Sequence, residues 1–114
     1  MDDCIFCKIR DGKIPARIVY EDEELFAFED ITPAAPLHIL LVPKRHLVNT
    51  LDLTPADDGT MGALIRAAAH IARERGVADD GYRLVINNNL RAGQSVFHLH
   101  LHLLAGRDLT WPPG

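Results

Sequence analysis

The sequence predicts an α+β fold built on an antiparallel sheet of about five strands, with one long and one short helix. Three observations carry that prediction. Short apolar and β-favouring runs recur along the chain, bounded by proline, glycine or acidic turns. Two pairs of these runs read as hairpins, which makes the sheet antiparallel. A single long stretch, between Thr54 and Gly76, places its apolar residues at helical spacing.

In chain order, residues 4–10 predict a short helix with Ile5, Phe6 and Ile9 on one side, ended by Gly12, and Pro15 then redirects the chain. Residues 17–20 and 25–29 read as a hairpin with the charged turn Glu21-Asp22-Glu23-Glu24, and Asp30 falls at its exit. Pro33-Ala34-Ala35-Pro36 breaks regular structure before residues 37–42, an apolar run between prolines that reads as a buried strand containing His38.

Thr54-Pro55-Ala56-Asp57 is a helix start, with a hydroxyl cap, proline at the first position and an acid three residues after the cap. Met61, Leu64, Ile65, Ala68 and Ala72 form one stripe on this helix, which should pack on the sheet, and Gly76 marks its end. His70 lies opposite the stripe, where solvent exposure accounts for it. Gly81 precedes a strand pattern over residues 82–87, and the polar turn 87–93 leads into residues 96–104 as a second hairpin.

Composition bounds the function. The chain of 114 residues reads as a single domain over 1–114, and 47% hydrophobic with 25% charged residues excludes disordered and fibrous classes. A formal net charge of -4 offers no basic patch for a polyanionic backbone, so nucleic-acid polymers are excluded while a single nucleotide is not. No apolar run reaches the length of a membrane span and the acidic start lacks a secretion signal, which points to a cytoplasmic protein without membrane contact.

Three of the six histidines lie in Val96-Phe97-His98-Leu99-His100-Leu101-His102-Leu103. Strand alternation sends Leu99, Leu101 and Leu103 to one face and His98, His100 and His102 to the other, attached about 6.6 Å apart, so two imidazoles reach one phosphate. The stripe reads in three ways: a solvent-facing strand, a metal site with an open position, or nucleophilic catalysis by a neutral imidazole. Gly93-Gln94-Ser95, just ahead of it, supplies backbone, amide and hydroxyl groups that can hold an anion, which favours the third.

The run from Gly93 through Leu104 resembles the signature of the histidine triad (HIT) superfamily. The resemblance extends to Ile5-Phe6-Cys7-Lys8-Ile9, Ala27-Phe28-Glu29-Asp30-Ile31, Pro36-Leu37-His38, Pro43-Lys44-Arg45-His46 and the ending Trp111-Pro112-Pro113-Gly114, and is to the Hint branch. It implies a HIT-like fold, a homodimer whose sheets join into one, and hydrolysis of purine nucleoside 5′-phosphoramidates through a nucleotidyl-histidine intermediate, with no cofactor needed for catalysis. A dinucleoside polyphosphate hydrolase and a non-catalytic nucleotide-binding adaptor are the alternatives. Carried onto this chain, His100 resembles the nucleophile, His102 and His38 lie by the phosphate and leaving group, and His98 buttresses the site. Asp30 resembles the ribose acceptor, Phe6, Ile9, Phe28 and Ile31 the base pocket, Asn87, Gln94 and Ser95 phosphate-side contacts, and Trp111 a residue approaching the partner subunit's site. As residues alone, the four apolar positions read equally as core, Asp30 as a strand end and His38 as a satisfied core histidine.

Cys4-x-x-Cys7 is similar to bacterial members of the superfamily that hold a structural zinc, with His46 and His98 matching the other ligands. Two thiolates and two imidazoles suit tetrahedral Zn2+. Free thiols or a redox pair are the other readings.

Overall fold

The sheet is set by the positions of the apolar runs. A computed structural model describes residues 3–114. Its strands are β1 (Ile18–Glu21), β2 (Leu25–Glu29), β3 (Leu37–Pro43), β4 (Tyr82–Val85) and β5 (Leu101–Ala105). They form one sheet in the order β1-β2-β3-β5-β4, every neighbouring pair antiparallel. The short helix α1 is Ile5–Arg10 and the long helix α2 is Asp58–Glu74.

Residue parity decides what each face buries. Leu25, Ala27, Ile39, Leu41, Leu99, Leu101 and Leu103 pack with Leu64, Ala67, Ala68 and Ile71 of α2 in one core. Phe26, Phe28, Leu40 and Val42 project to the other face and pack with Phe6 of α1. β3 is therefore buried along its whole length, as an apolar run between prolines requires. His38 and His102 share the α1 face, because His38 pairs with Leu104 and Leu40 pairs with His102, which makes the two histidines diagonal neighbours.

The turn before α2 uses the predicted cap. Pro55–Asp57 forms a 3-10 turn, and the Asp57 carboxylate accepts from the Thr54 N–H at 2.9 Å. The stripe is rotated from its predicted position: Ala67 and Ile71 are buried, while Ile65 is half exposed at 51%. Leu64, Ala67, Ala68 and Ile71 follow the i, i+3, i+4, i+7 rule, and Ile65 lies about 100° round from Leu64.

The second hairpin differs from its prediction. β4 ends at Val85 and β5 begins at Leu101, so the connection 86–100 is long and carries a 3-10 turn at Leu90–Ala92. His98 and His100 thus precede the strand. Their alternation survives outside the ladder because Leu99 N–H donates to Leu47 O at 2.6 Å and the Leu99 side chain stays in the α2 core.

Candidate active site

Hydrogen bonds fix which nitrogen of each histidine holds its proton. His100 is buried, and its Nδ1 lies 2.7 Å from His98 O. A carbonyl accepts only, so Nδ1 donates and Nε2 keeps its lone pair. Ala34 N–H donates to His38 Nδ1 at 3.0 Å, which leaves His38 Nε2 as the donor toward His102 Nδ1 at 2.9 Å. His102 then holds its own proton on Nε2. Three neutral imidazoles in defined tautomers follow from two backbone groups.

Burial favours the neutral forms. Desolvation lowers the pKa of His38 and His100, and with the neighbouring histidines it brings His102 down to about 4. The Asp30 carboxylate opposes this, its Oδ2 lying 3.5 Å from His38 Nε2. The rings of His100 and His102 are 4.9 Å apart, and Phe6 meets His100 edge-on at 5.0 Å. With His98 fully buried and His100 nearly so, the solvent-facing reading of the stripe does not hold.

A cleft of about 290 Å³ opens on this face. Phe6, Ile9, Phe28 and Ile31 supply apolar walls, and Asp30, Ser95, His100 and His102 supply polar groups. Asp30 Oδ1 accepts from the Thr32 N–H at 2.8 Å and from its hydroxyl at 3.2 Å, which fixes the carboxylate at the cleft edge. Sequence reasoning missed Ile14, Pro15, Ala16 and Leu40 in the lining. The Pro15 turn was a signal that the chain folds back there.

Other expected site residues lie apart. The Gln94 amide is buried at 2% exposure and wholly engaged, accepting from Asn89 N–H of its own loop at 2.7 Å and donating to Val48 O of a distant segment at 2.7 Å. It does not line the cleft, and neither does the half-buried Asn87. Trp111 is 81% exposed and also outside the cleft of its own chain.

His98 belongs to a different cluster. Its Nε2 donates to Pro43 O at 2.8 Å, so its Nδ1 lone pair faces Cys4 Sγ at 3.3 Å, Cys7 Sγ at 3.5 Å and His46 Nδ1 at 3.1 Å. The four ligand atoms lie within 4.8 Å of one another. Two sulfurs and two nitrogens converging at this spacing fit a tetrahedral dication. Burial and the adjacent Cys4 raise the Cys7 thiol pKa, the cost of crowding two sulfurs that a cation relieves.

Comparison with known proteins identifies the family and the fold. The HIT domain family model matches residues 11–109. A HIT-like protein of Synechocystis sp. is 50% identical over 113 residues, covering 99% of this chain and 98% of the relative. The purine nucleoside phosphoramidase of Escherichia coli K12 is 44% identical over 108 residues, covering 95% and 91%. The crystal structure of a HIT family hydrolase from Legionella pneumophila superposes with a TM-score of 0.96 at 46% identity, over 98% of this chain and 100% of that one. With the family model matching residues 11–109 and nearly the whole length shared with these relatives, the chain belongs to the HIT domain family.

Proposed function

We propose that the protein is a nucleotide-binding hydrolase that cleaves the P–N bond of purine nucleoside 5′-phosphoramidates, with His100 as nucleophile. The observation that carries this reading is the 2.7 Å bond from His100 Nδ1 to His98 O, which leaves Nε2 as the free lone pair of a residue lining the cleft. The name of the Escherichia coli relative supports the substrate class.

Attack of His100 Nε2 on phosphorus forms the N–P bond, and positive charge grows on the imidazole. The Nδ1–H bond to His98 O strengthens as that charge develops. The amine leaves only when protonated. An anionic substrate favours protonation of His102 at Nδ1, which displaces the bond from His38 Nε2 and leaves that N–H to the Asp30 carboxylate 3.5 Å away, and His102 Nε2 gives its own proton to the departing nitrogen. Water then attacks phosphorus, its proton returns to His102, and the P–N bond to His100 breaks. Nucleoside monophosphate leaves and the starting charge state is restored.

In the same reading Asp30 accepts the ribose hydroxyls, Phe6, Ile9, Phe28 and Ile31 hold the purine, and Ser95 meets the phosphate. Cys4, Cys7, His46 and His98 hold a structural Zn2+, which ties α1 to the segment entering β5. A homodimer extends the sheet and brings the exposed Trp111 to the partner subunit's site. Among the described residues no helix is long and apolar enough to cross a membrane, and a cytoplasmic setting keeps both thiols reduced for the metal.

The test is AMP release from adenosine 5′-phosphoramidate and from diadenosine polyphosphates, without added metal, by the native protein and by His100→Ala. Cleavage of the phosphoramidate by the native protein alone supports the reading. Preference for the diphosphate-bridged substrates overturns the substrate class, and cleavage of neither favours a nucleotide-binding adaptor.

A further inference from the structure

The proposed chemistry leaves unexplained a cluster of side-chain amides outside the cleft, with Asn49 and Gln94 buried at its centre. The segment 46–50, which follows β3, runs beside the connection that carries Ser95 and His98. Thr50 N–H and hydroxyl donate to Asn88 Oδ1 at 2.9 and 2.8 Å. Asn49 Nδ2 donates to Asn89 Oδ1 at 3.0 Å and to Gln94 Oε1 at 3.2 Å. Val48 O accepts from Gln94 Nε2, and Leu47 O accepts from Leu99 N–H. The segment therefore meets the connection at four successive residues.

The orientation of each amide is determined. Gln94 Oε1 accepts from Asn89 N–H, and its Nε2 donates to the carbonyls of Val48 and Val96, so it cannot be flipped. Asn49 must then present Nδ2 to Gln94, and its Oδ1 accepts from Leu51 N–H at 3.0 Å. Asn49 is buried at 3% exposure, so losing one of these partners leaves a polar group without water to replace it. Part of what the cluster holds is unfavourable on its own: Asn89, which is not a glycine, has φ 68 and ψ 174, while Gly93 at φ 94 takes a conformation that glycine allows. Two positive-φ residues bracket a loop whose next members, Ser95 and Val96, wall the cleft.

We propose that Asn49 is a positioning residue for the phosphate side of the site. It acts through Gln94 and Asn89, which set the backbone of residues 93–96, and touches no substrate itself. Gln94 thereby serves as the clamp of the loop. The inference rests on the nucleotide reading for what the loop contacts, and on geometry alone for what holds it.

Asn49→Asp tests this with little change in volume, because it keeps the acceptor for Leu51 and turns the Nδ2 donor into an oxygen facing Asn89 Oδ1 and Gln94 Oε1. Two readouts are taken on the full chain: amide hydrogen exchange across residues 88–96, and binding of AMP beside binding of adenosine. The expected results are faster exchange in that loop, and AMP affinity reduced about tenfold while adenosine affinity changes less than about twofold. Unchanged exchange, or equal losses for AMP and adenosine, overturns the proposal. If Asn49→Asp does not fold, Thr50→Val, which removes only the hydroxyl bond to Asn88, decides it by the same readouts with smaller shifts in the same direction. A native protein that binds neither AMP nor adenosine overturns the nucleotide reading and the phosphate role with it, while the exchange result still decides whether Asn49 holds the loop.

Discussion

The proton on His38 is placed by Ala34 N–H, and through His38 the same backbone group decides which nitrogen of His102 can donate. Replacing His38 by Asn breaks that chain two residues removed from phosphorus. We expect kcat to fall about 100-fold while KM changes little, because proton delivery is lost and not nucleotide binding; steady-state kinetics on adenosine 5′-phosphoramidate checks this. At Gly106, with φ 97, an added Cβ would lie 2.8 Å from Pro36 Cβ. Gly106→Ala should therefore cost about 1–3 kcal/mol in urea unfolding, through strain and a contact with a rigid ring. Residue identity carried the tautomer logic only partly. Strand alternation alone places the histidines on one face; that His98 meets two sulfurs was expected only from the resemblance at Cys4 and Cys7, and that it does so through Nδ1 depends on where Pro43 O falls. Gln94 likewise reads as an anion contact by position, yet its amide is satisfied by its own loop together with Val48 and Asn49 of a distant segment, which no local pattern announces.

The helix start at Thr54 was legible because its signal is local: cap, proline and acid lie within four residues. Asp57→Ala removes both the bond from Thr54 N–H and the ion pair with Arg45, and should destabilise the protein by about 1–2 kcal/mol in the same assay. The β1–β2 hairpin was legible for a similar reason, since Asp22 Oδ1 accepts from Glu24 N–H and Leu25 N–H inside the acidic turn. Where β5 begins was not legible. Alternation over residues 96–104 is real on both faces, but a strand needs a partner's backbone, and β4 stops at Val85. The stripe of α2 was found with one member wrong, because Ile65 sits beside the buried row and hydrophobicity alone does not say which edge faces the sheet.

At the scale of the molecule, two faces of one sheet do different work: α2 and the leucines form the larger core, while the α1 face holds the histidines, the cleft and the sulfur-nitrogen cluster. Burying neutral histidines makes stability depend on pH. The folded His102 pKa lies near 4 against an ordinary value of 6.5, and that of His38 is lowered too, so below 6.5 the unfolded chain binds protons that the folded one refuses. Their contribution is complete above pH 6.5 and declines as pH falls from 6.5 toward 4, which urea midpoints across that window should follow. The central claim is that phosphorus passes through His100, and stereochemistry tests it most directly. An adenosine 5′-phosphorothioamidate of one configuration at phosphorus, hydrolysed in isotopically labelled water, should give product with retained configuration, since two in-line displacements invert twice. Net inversion would mean that water attacks the substrate directly, and would contradict His100 as the nucleophile.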